Sequence, residues 1–155
     1  STINAYLKAA NTSVRTDFKE FFITKISDLG NQVVPFMTAI QKDFYQINFI
    51  TQHDTGTYRI NLKDYQQLDN CLYFISPDHI YSWMRKSQLD GYLIYFKKSL
   101  FKPIMPSFEI ELYPFFSIEQ DNMLILDDEA VIQVDLLIEQ LHHFYKTQTQ
   151  YRAKL

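Results

Sequence analysis

A chain of 155 residues, 46% of them hydrophobic, is long enough to bury one substantial core and needs no second domain. Its formal charge of -3 excludes a phosphate-gripping role for this segment, because nucleic-acid binding relies on clustered positive charge. The single cysteine, Cys71, excludes an intrachain disulfide and, lying in an apolar run, reads as a small packed hydrophobe in a reducing compartment, which makes the expected location cytoplasmic.

The densest basic spots, Arg85-Lys86 and Lys97-Lys98 with Lys102, read as solvated loops and strand ends. No charged-then-apolar leader and no run of eighteen apolar residues occurs, so neither secretion nor contact with a membrane is expected. Eleven Tyr and thirteen Phe weight the hydrophobic content toward aromatic strands.

Residues 1–16 are polar with scattered Ala and Leu, a mobile arm or a short helix. A strand is predicted from Asp17 to Ile26, a turn at Asp28-Leu29-Gly30-Asn31 and a second short strand through Val33 and Val34. After Asp43, Tyr45, Ile47 and Phe49 lie on one face of an extended chain, with Phe44, Gln46, Asn48 and Ile50 on the other. His53-Asp54-Thr55-Gly56 breaks that run, and the alternation of Tyr58, Ile60 and Leu62 predicts a hairpin with a half-buried return strand.

Cys71 to Ile75 is apolar on both faces, as in a central strand, and Ser76-Pro77-Asp78 ends it. Tyr81, Trp83, Tyr92, Ile94 and Phe96 continue an inward alternation. Pro103 and Pro106 mark an irregular connection, and Phe108, Ile110 and Leu112 predict a last strand before Pro114-Phe115-Phe116. The count is about eight strands, the size at which a barrel holds one small ligand or fills itself with side chains.

The period then changes. Asp127, Asp128 and Glu129 open a helix at its positive end, with His142, His143 and Lys146 near the other. Ala130, Val131, Val134, Leu137, Ile138, Leu141, Phe144 and Tyr145 form a broad apolar stripe, predicted to dock on the barrel. Ile132 and Leu136 lie nearly opposite, with Glu139 and His143 beside them. These four are the candidate contacts of a homodimer paired through this helix; the alternative is that the two apolar residues are exposed singles.

Asp43-Phe44-Tyr45-Gln46-Ile47, the run from Phe74-Ile75-Ser76-Pro77 to Tyr81-Ser82-Trp83, Gly91 to Phe96, Tyr113-Pro114-Phe115-Phe116 and the acidic helix start at Asp127 together resemble the N-terminal cupin-like sensor domain of AraC-type (AraC/XylS) bacterial transcription regulators. The resemblance implies a mainly β protein: a cupin-like double-stranded β-helix, or jelly-roll, barrel followed by a C-terminal α-helix. It divides the chain into an arm at 1–16, a sensor barrel at 17–118 and a dimerisation helix with the start of a linker at 119–155. It further implies an effector held in the barrel, a homodimer, and DNA read by a helix-turn-helix domain that this chain lacks, so that the sequence is either cut at a linker or a stand-alone sensor.

In metal-dependent cupins two histidines, a carboxylate and a later histidine hold the ion; the resemblance puts Ile40, Lys42, Gln46 and Tyr81 at those positions. None is a good ligand, and Lys42 brings an opposing charge, so neither metal nor cofactor is expected. His53 in the hairpin turn and His79 in the Pro77 corner are predicted to face water, and His142 and His143 to point apart. No residue is assigned to catalysis. The candidate ligand-binding residues are Tyr45, Ile47, Tyr58, Tyr81, Trp83, Tyr92 and Ile94, rings and apolar groups with polar tips suited to a sugar or an aromatic compound; the alternative is that they fill the barrel. Two other readings stand beside this one, a cupin-fold enzyme with atypical ligands and a stand-alone carbohydrate-binding module.

Overall fold

The computed structural model describes residues 2–52, 56–66, 69–85 and 90–153, the last three as backbone. It is mainly β. Among the described residues nine strands form two antiparallel sheets, accompanied by a short N-terminal and a long C-terminal helix.

The chain opens with helix α1, Ile3–Ala9, whose Thr2 cap accepts a hydrogen bond from the Ala5 amide at 3.2 Å. Ile3, Tyr6, Leu7 and Ala10 are buried and share one helical face. Of the two readings of residues 1–16, the helix is the observed one, and it is lodged in the core.

The strands are β1 (Phe21–Lys25), β2 (Phe36–Met37), β3 (Tyr45–Gln52), β4 (Thr57–Ile60), β5 (Lys63–Gln66), β6 (Cys71–Ile75), β7 (Tyr81–Met84), β8 (Asp90–Phe96) and β9 (Met123–Ile125). One sheet runs β1-β8-β3-β6-β9 and the other β2-β7-β4-β5. The pairing is nested: β1 with β8, β2 with β7, β3 with β6, β4 with β5. The first eight strands are therefore one long hairpin folded over on itself, and its tip is the β4–β5 turn. Asn61 and Leu62 make that turn with φ of +50° and +69°, both in the left-handed region that a two-residue turn of this hand demands.

This topology corrects the hairpin predicted between the strands flanking residues 53–56. β3 and β4 lie in different sheets, so the break carries the chain across the sandwich rather than back along it; residues 53–55 fall outside the described ones. The first strand is shorter than predicted, and the second pairs at Phe36–Met37 rather than through Val33 and Val34. The strand expected over Phe108 to Leu112 is absent; that stretch forms single 3-10 turns at Ile110–Leu112 and Pro114–Phe116. The buried Asn122 holds it in place by donating to the carbonyls of Phe115 at 2.8 Å and Ser117 at 3.1 Å.

Between the sheets, Phe44 stacks on Tyr95 with centroids 4.9 Å apart, and Tyr6 of α1 meets both rings edge-on. The outer face of the five-stranded sheet is covered as well. Helix α2, Asp128–Ala153, crosses it with Val131, Val134, Ile138 and Tyr145 in its packing, and Tyr45 stacks on Phe96 under Phe116. The α2 start is capped by Asp127, which accepts from the Ala130 amide at 2.8 Å. Near its other end the Tyr145 hydroxyl donates to Thr16 at 3.1 Å. Among the described residues no helix is long and apolar enough to cross a membrane.

Gly91 makes the contact of β3 with β8 possible. Its φ is +137°, and a Cβ there would lie 1.8 Å from the Phe49 carbonyl oxygen. Only glycine lets the two backbones approach this closely.

Candidate functional site

Because side chains alternate along a strand, each strand of the five-stranded sheet offers one set inward and one outward. In β3 the inward set is Gln46, Asn48 and Ile50; in β8 it is Leu93 and Tyr95. The four-stranded sheet faces them with Tyr58 from β4 and the Tyr81 and Trp83 rings from β7, and α1 closes one side with Tyr6 and Leu7. All of these groups except Ile50, together with Arg85, line a cavity of about 50 Å³.

The seven predicted ligand-binding residues therefore separate. Tyr58, Tyr81 and Trp83 line the cavity. Tyr45, Ile47, Tyr92 and Ile94 lie on the opposite face of the sheet, in the second core beneath α2, where His142 meets the Tyr92 ring edge-on at 5.5 Å. Their alternation is as predicted; the side assigned to it is corrected. Both faces of this sheet are covered, so apolarity does not reveal which one looks inward.

The polar heart of the interior is a relay of buried groups. Lys42, Gln46 and Asn48 are 3%, 2% and 1% exposed. The Lys42 amine donates to Gln46 Oε1 at 2.8 Å, and Gln46 Nε2 donates to Asn48 Oδ1 at 2.8 Å. The Asn48 side chain acts on the Tyr81 hydroxyl too, partly opposing the rise that burial causes. Gln46 Oε1 can only accept, so the Lys42 amine is the donor to it and the Gln46 NH2 is left to donate onward. Its Nζ also sits 4.5 Å from the centre of the Tyr81 ring and 5.4 Å from those of Tyr6 and Phe44.

Desolvation holds Lys42 well below the usual lysine range. Burial also drives the Tyr81 and Tyr95 hydroxyls well above theirs, and pushes up Tyr6, whose oxygen accepts the Trp83 indole N–H at 3.0 Å. Three of the four positions that the resemblance matched to metal ligands, Lys42, Gln46 and Tyr81, thus meet in space around the Lys42 amine; Ile40 packs at the side of the core. Among the described residues no three of His, Cys, Asp and Glu gather to hold an ion.

His79 is a further correction. Instead of facing water it is buried, and its Nδ1 accepts the Ser76 amide at 2.9 Å. The proton of the neutral ring therefore sits on Nε2, which has no hydrogen bond of acceptable geometry. Burial lowers the affinity of this ring for a second proton; the Ser117 backbone partly opposes that and the charge of Lys42 adds to it. His53 and Lys86 lie outside the described residues.

On α2 the docked face is narrower than the predicted stripe. Leu137 and Phe144 are 66% and 61% exposed, and Leu141 is 37% exposed. Ile132 and Leu136, at 62% and 54%, are exposed too, beside the exposed Glu139 and His143. The helix therefore presents more unpartnered apolar surface than its sequence suggested.

Lys42, Gln46, Asn48, Tyr6 and Arg85 were not among the predicted binding residues. The available signal was a lysine between Ile40 and Phe44, both core residues, followed at alternate positions by two amides. No family model matches the chain, and no curated protein matches it.

Proposed function

We propose that this chain is the effector-sensing and dimerisation domain of a bacterial AraC-type DNA-binding transcription regulator, built on a cupin-like jelly roll and working in the cytoplasm. The observation that carries the reading is the cavity between the sheets, where Tyr58, Tyr81 and Trp83 rings meet the Gln46 and Asn48 amides: apolar walls with a few aimed polar groups are how small molecules are held. The nested pairing of eight strands in two sheets supports the jelly-roll part, since it follows the order of two interlocked Greek keys. The exposed Ile132, Leu136, Leu137 and Phe144 on α2 support pairing with a second copy.

In this reading the domain binds and does not catalyse. A guest between the sheets touches α1 on one side and the inner face of the strands under α2 on the other. Binding favours one arrangement of the arm and the helix pair and so sets the spacing of two attached DNA readers.

Thermal shift and calorimetry with sugars, aromatic and aliphatic acids, their neutral analogues and bile-type steroids test the sensing role. At least one compound is expected to raise the melting temperature and to saturate; no binding at all overturns it and leaves a constitutive pairing domain. Light scattering tests the pairing: a dimer is expected to become a monomer in Leu136→Glu with Phe144→Glu, and a wild-type monomer refutes it. A pair of helix-turn-helix motifs encoded downstream of Leu155 tests the link to DNA.

A further inference from the structure

The polar side of the cavity wall is rich in hydrogens and poor in acceptors. Both amide oxygens of the lining are already engaged: Gln46 Oε1 accepts from Lys42, which itself lies outside the lining, and Asn48 Oδ1 accepts from Gln46. Gln46 keeps a second N–H, and the Asn48 NH2 has two, of which the Tyr81 oxygen can take one. The Tyr6 oxygen already accepts the Trp83 indole N–H at 3.0 Å, so that hydroxyl offers chiefly its hydrogen. No Asp or Glu lines the cavity. Gln46 and Asn48 are 2% and 1% exposed, so a further acceptor for them has to come from within the cavity.

The same walls disfavour charge. Burial favours the uncharged form of Tyr6, Tyr81 and Tyr95 and, next to Gln46, of Lys42. Arg85, the one formal charge in the lining, is only half-buried, so solvent screens it.

We propose that the guest of this cavity is a small uncharged carbonyl compound, such as a short ketone, ester or primary amide, whose oxygen is received by the NH2 groups of Gln46 and Asn48. The proposal rests on the sensing role above and names its ligand class. A carbonyl oxygen has two lone pairs, one for each amide. A carboxylate gives up its hydration here without meeting a fully buried opposite charge, and a hydrocarbon leaves the hydrogens unpaired. The space of about 50 Å³ is on the order of two water molecules, the scale of acetone. Its alkyl groups then lie against Tyr58, Trp83 and Leu93.

The test is an NMR titration of the intact chain at pH 7 with isosteric pairs, acetone against acetate and butanone against propionate, and with acetamide. The ketones and acetamide are expected to saturate the protein and to bind about tenfold or more tighter than the anions. Asn48→Asp keeps the oxygen that accepts from Gln46 and replaces the NH2, and is expected to weaken ketone binding by about tenfold or more. Gln46→Glu does the same for the other donor while still accepting from Lys42. Circular dichroism checks that both variants fold, and the wild-type pairs decide the matter if neither does.

Anions that bind as tightly as the ketones overturn the proposal, and loss of that binding in Arg85→Gln assigns them to the guanidinium instead. Wild-type ketone affinity in both folded variants overturns it as well. Sugars or steroids that bind where every small carbonyl compound fails overturn it while leaving the sensing role standing. Failure of every compound removes both.

Discussion

Replacing Lys42 by Met tests the energetics of the interior directly. In the fold this amine is held well below the 10.5 of an ordinary lysine by desolvation alone, whereas in the unfolded chain it keeps the ordinary value. At pH 7 to 8.5 the unfolded state therefore binds a proton that the folded state binds less well, and stability rises with pH, by at most roughly 1.4 kcal/mol per pH unit. The other shifted groups act outside that window. Tyr81 and Tyr95 are raised above 10.0 and Cys71 above 9.0, so each takes stability away only as pH approaches and passes those values. His79 and His142 are lowered below 6.5 and cost stability only as pH falls through that range.

Met fills a similar volume without charge and leaves one orphan, Gln46 Oε1, at a cost of about 1–3 kcal/mol. Urea denaturation at pH 7, 7.5, 8 and 8.5 is the assay. The wild type is expected to climb and Lys42→Met to stay flat, so that the difference between them moves toward the wild type by up to roughly 1.4 kcal/mol per unit. Groups common to both proteins cancel in that difference. Parallel profiles would refute the reasoning, because they mean that the folded amine holds its proton throughout this pH range.

Two backbone positions give independent tests. Gly91→Ala forces a Cβ to within 1.8 Å of the Phe49 carbonyl at a φ of +137°, and parting β3 from β8 is expected to cost about 2–4 kcal/mol in chemical denaturation; a loss under about 1 kcal/mol contradicts the close approach. Leu62→Gly relieves a leucine held at φ +69° while Asn61 keeps its hydrogen bond from the Ile80 amide, so the variant is expected to gain about 1 kcal/mol. A lower melting temperature for it would mean that the tip does not have this turn.

The strand alternation of this protein is legible from sequence, because period-two patterns in Tyr45 to Ile50 and Tyr92 to Phe96 mark extended chain whatever surrounds it. The direction of that alternation is not. Tyr45 and Phe49 are as apolar as any barrel lining, yet they face α2, while the polar Gln46 and Asn48 face inward because they satisfy one another and Lys42. Composition assigns amides to water; only the partner 2.8 Å away reverses the assignment. The same holds on α2, where Leu137 and Phe144 fit a core stripe by spacing but lie on its flank, beyond the reach of the sheet. His79 was misread for a local reason, since a turn that bends the ring back onto the Ser76 amide has no signature beyond Ser-Pro-Asp. Lys42, Gln46 and Tyr81 meet in the interior.

The nested hairpin also dictates an order of assembly. Its tip closes over two residues, Asn61 and Leu62, whereas the outermost rung joins Phe21 to Phe96, so each successive pairing closes a longer loop and carries a larger entropic penalty. Such a chain zips from the middle outward and belongs among slow folders of high contact order. The rung completed last, β1 on β8, is also the one nearest to Tyr145 of α2. A nascent chain therefore has to await its own C-terminal helix before its first strand is fully sheltered.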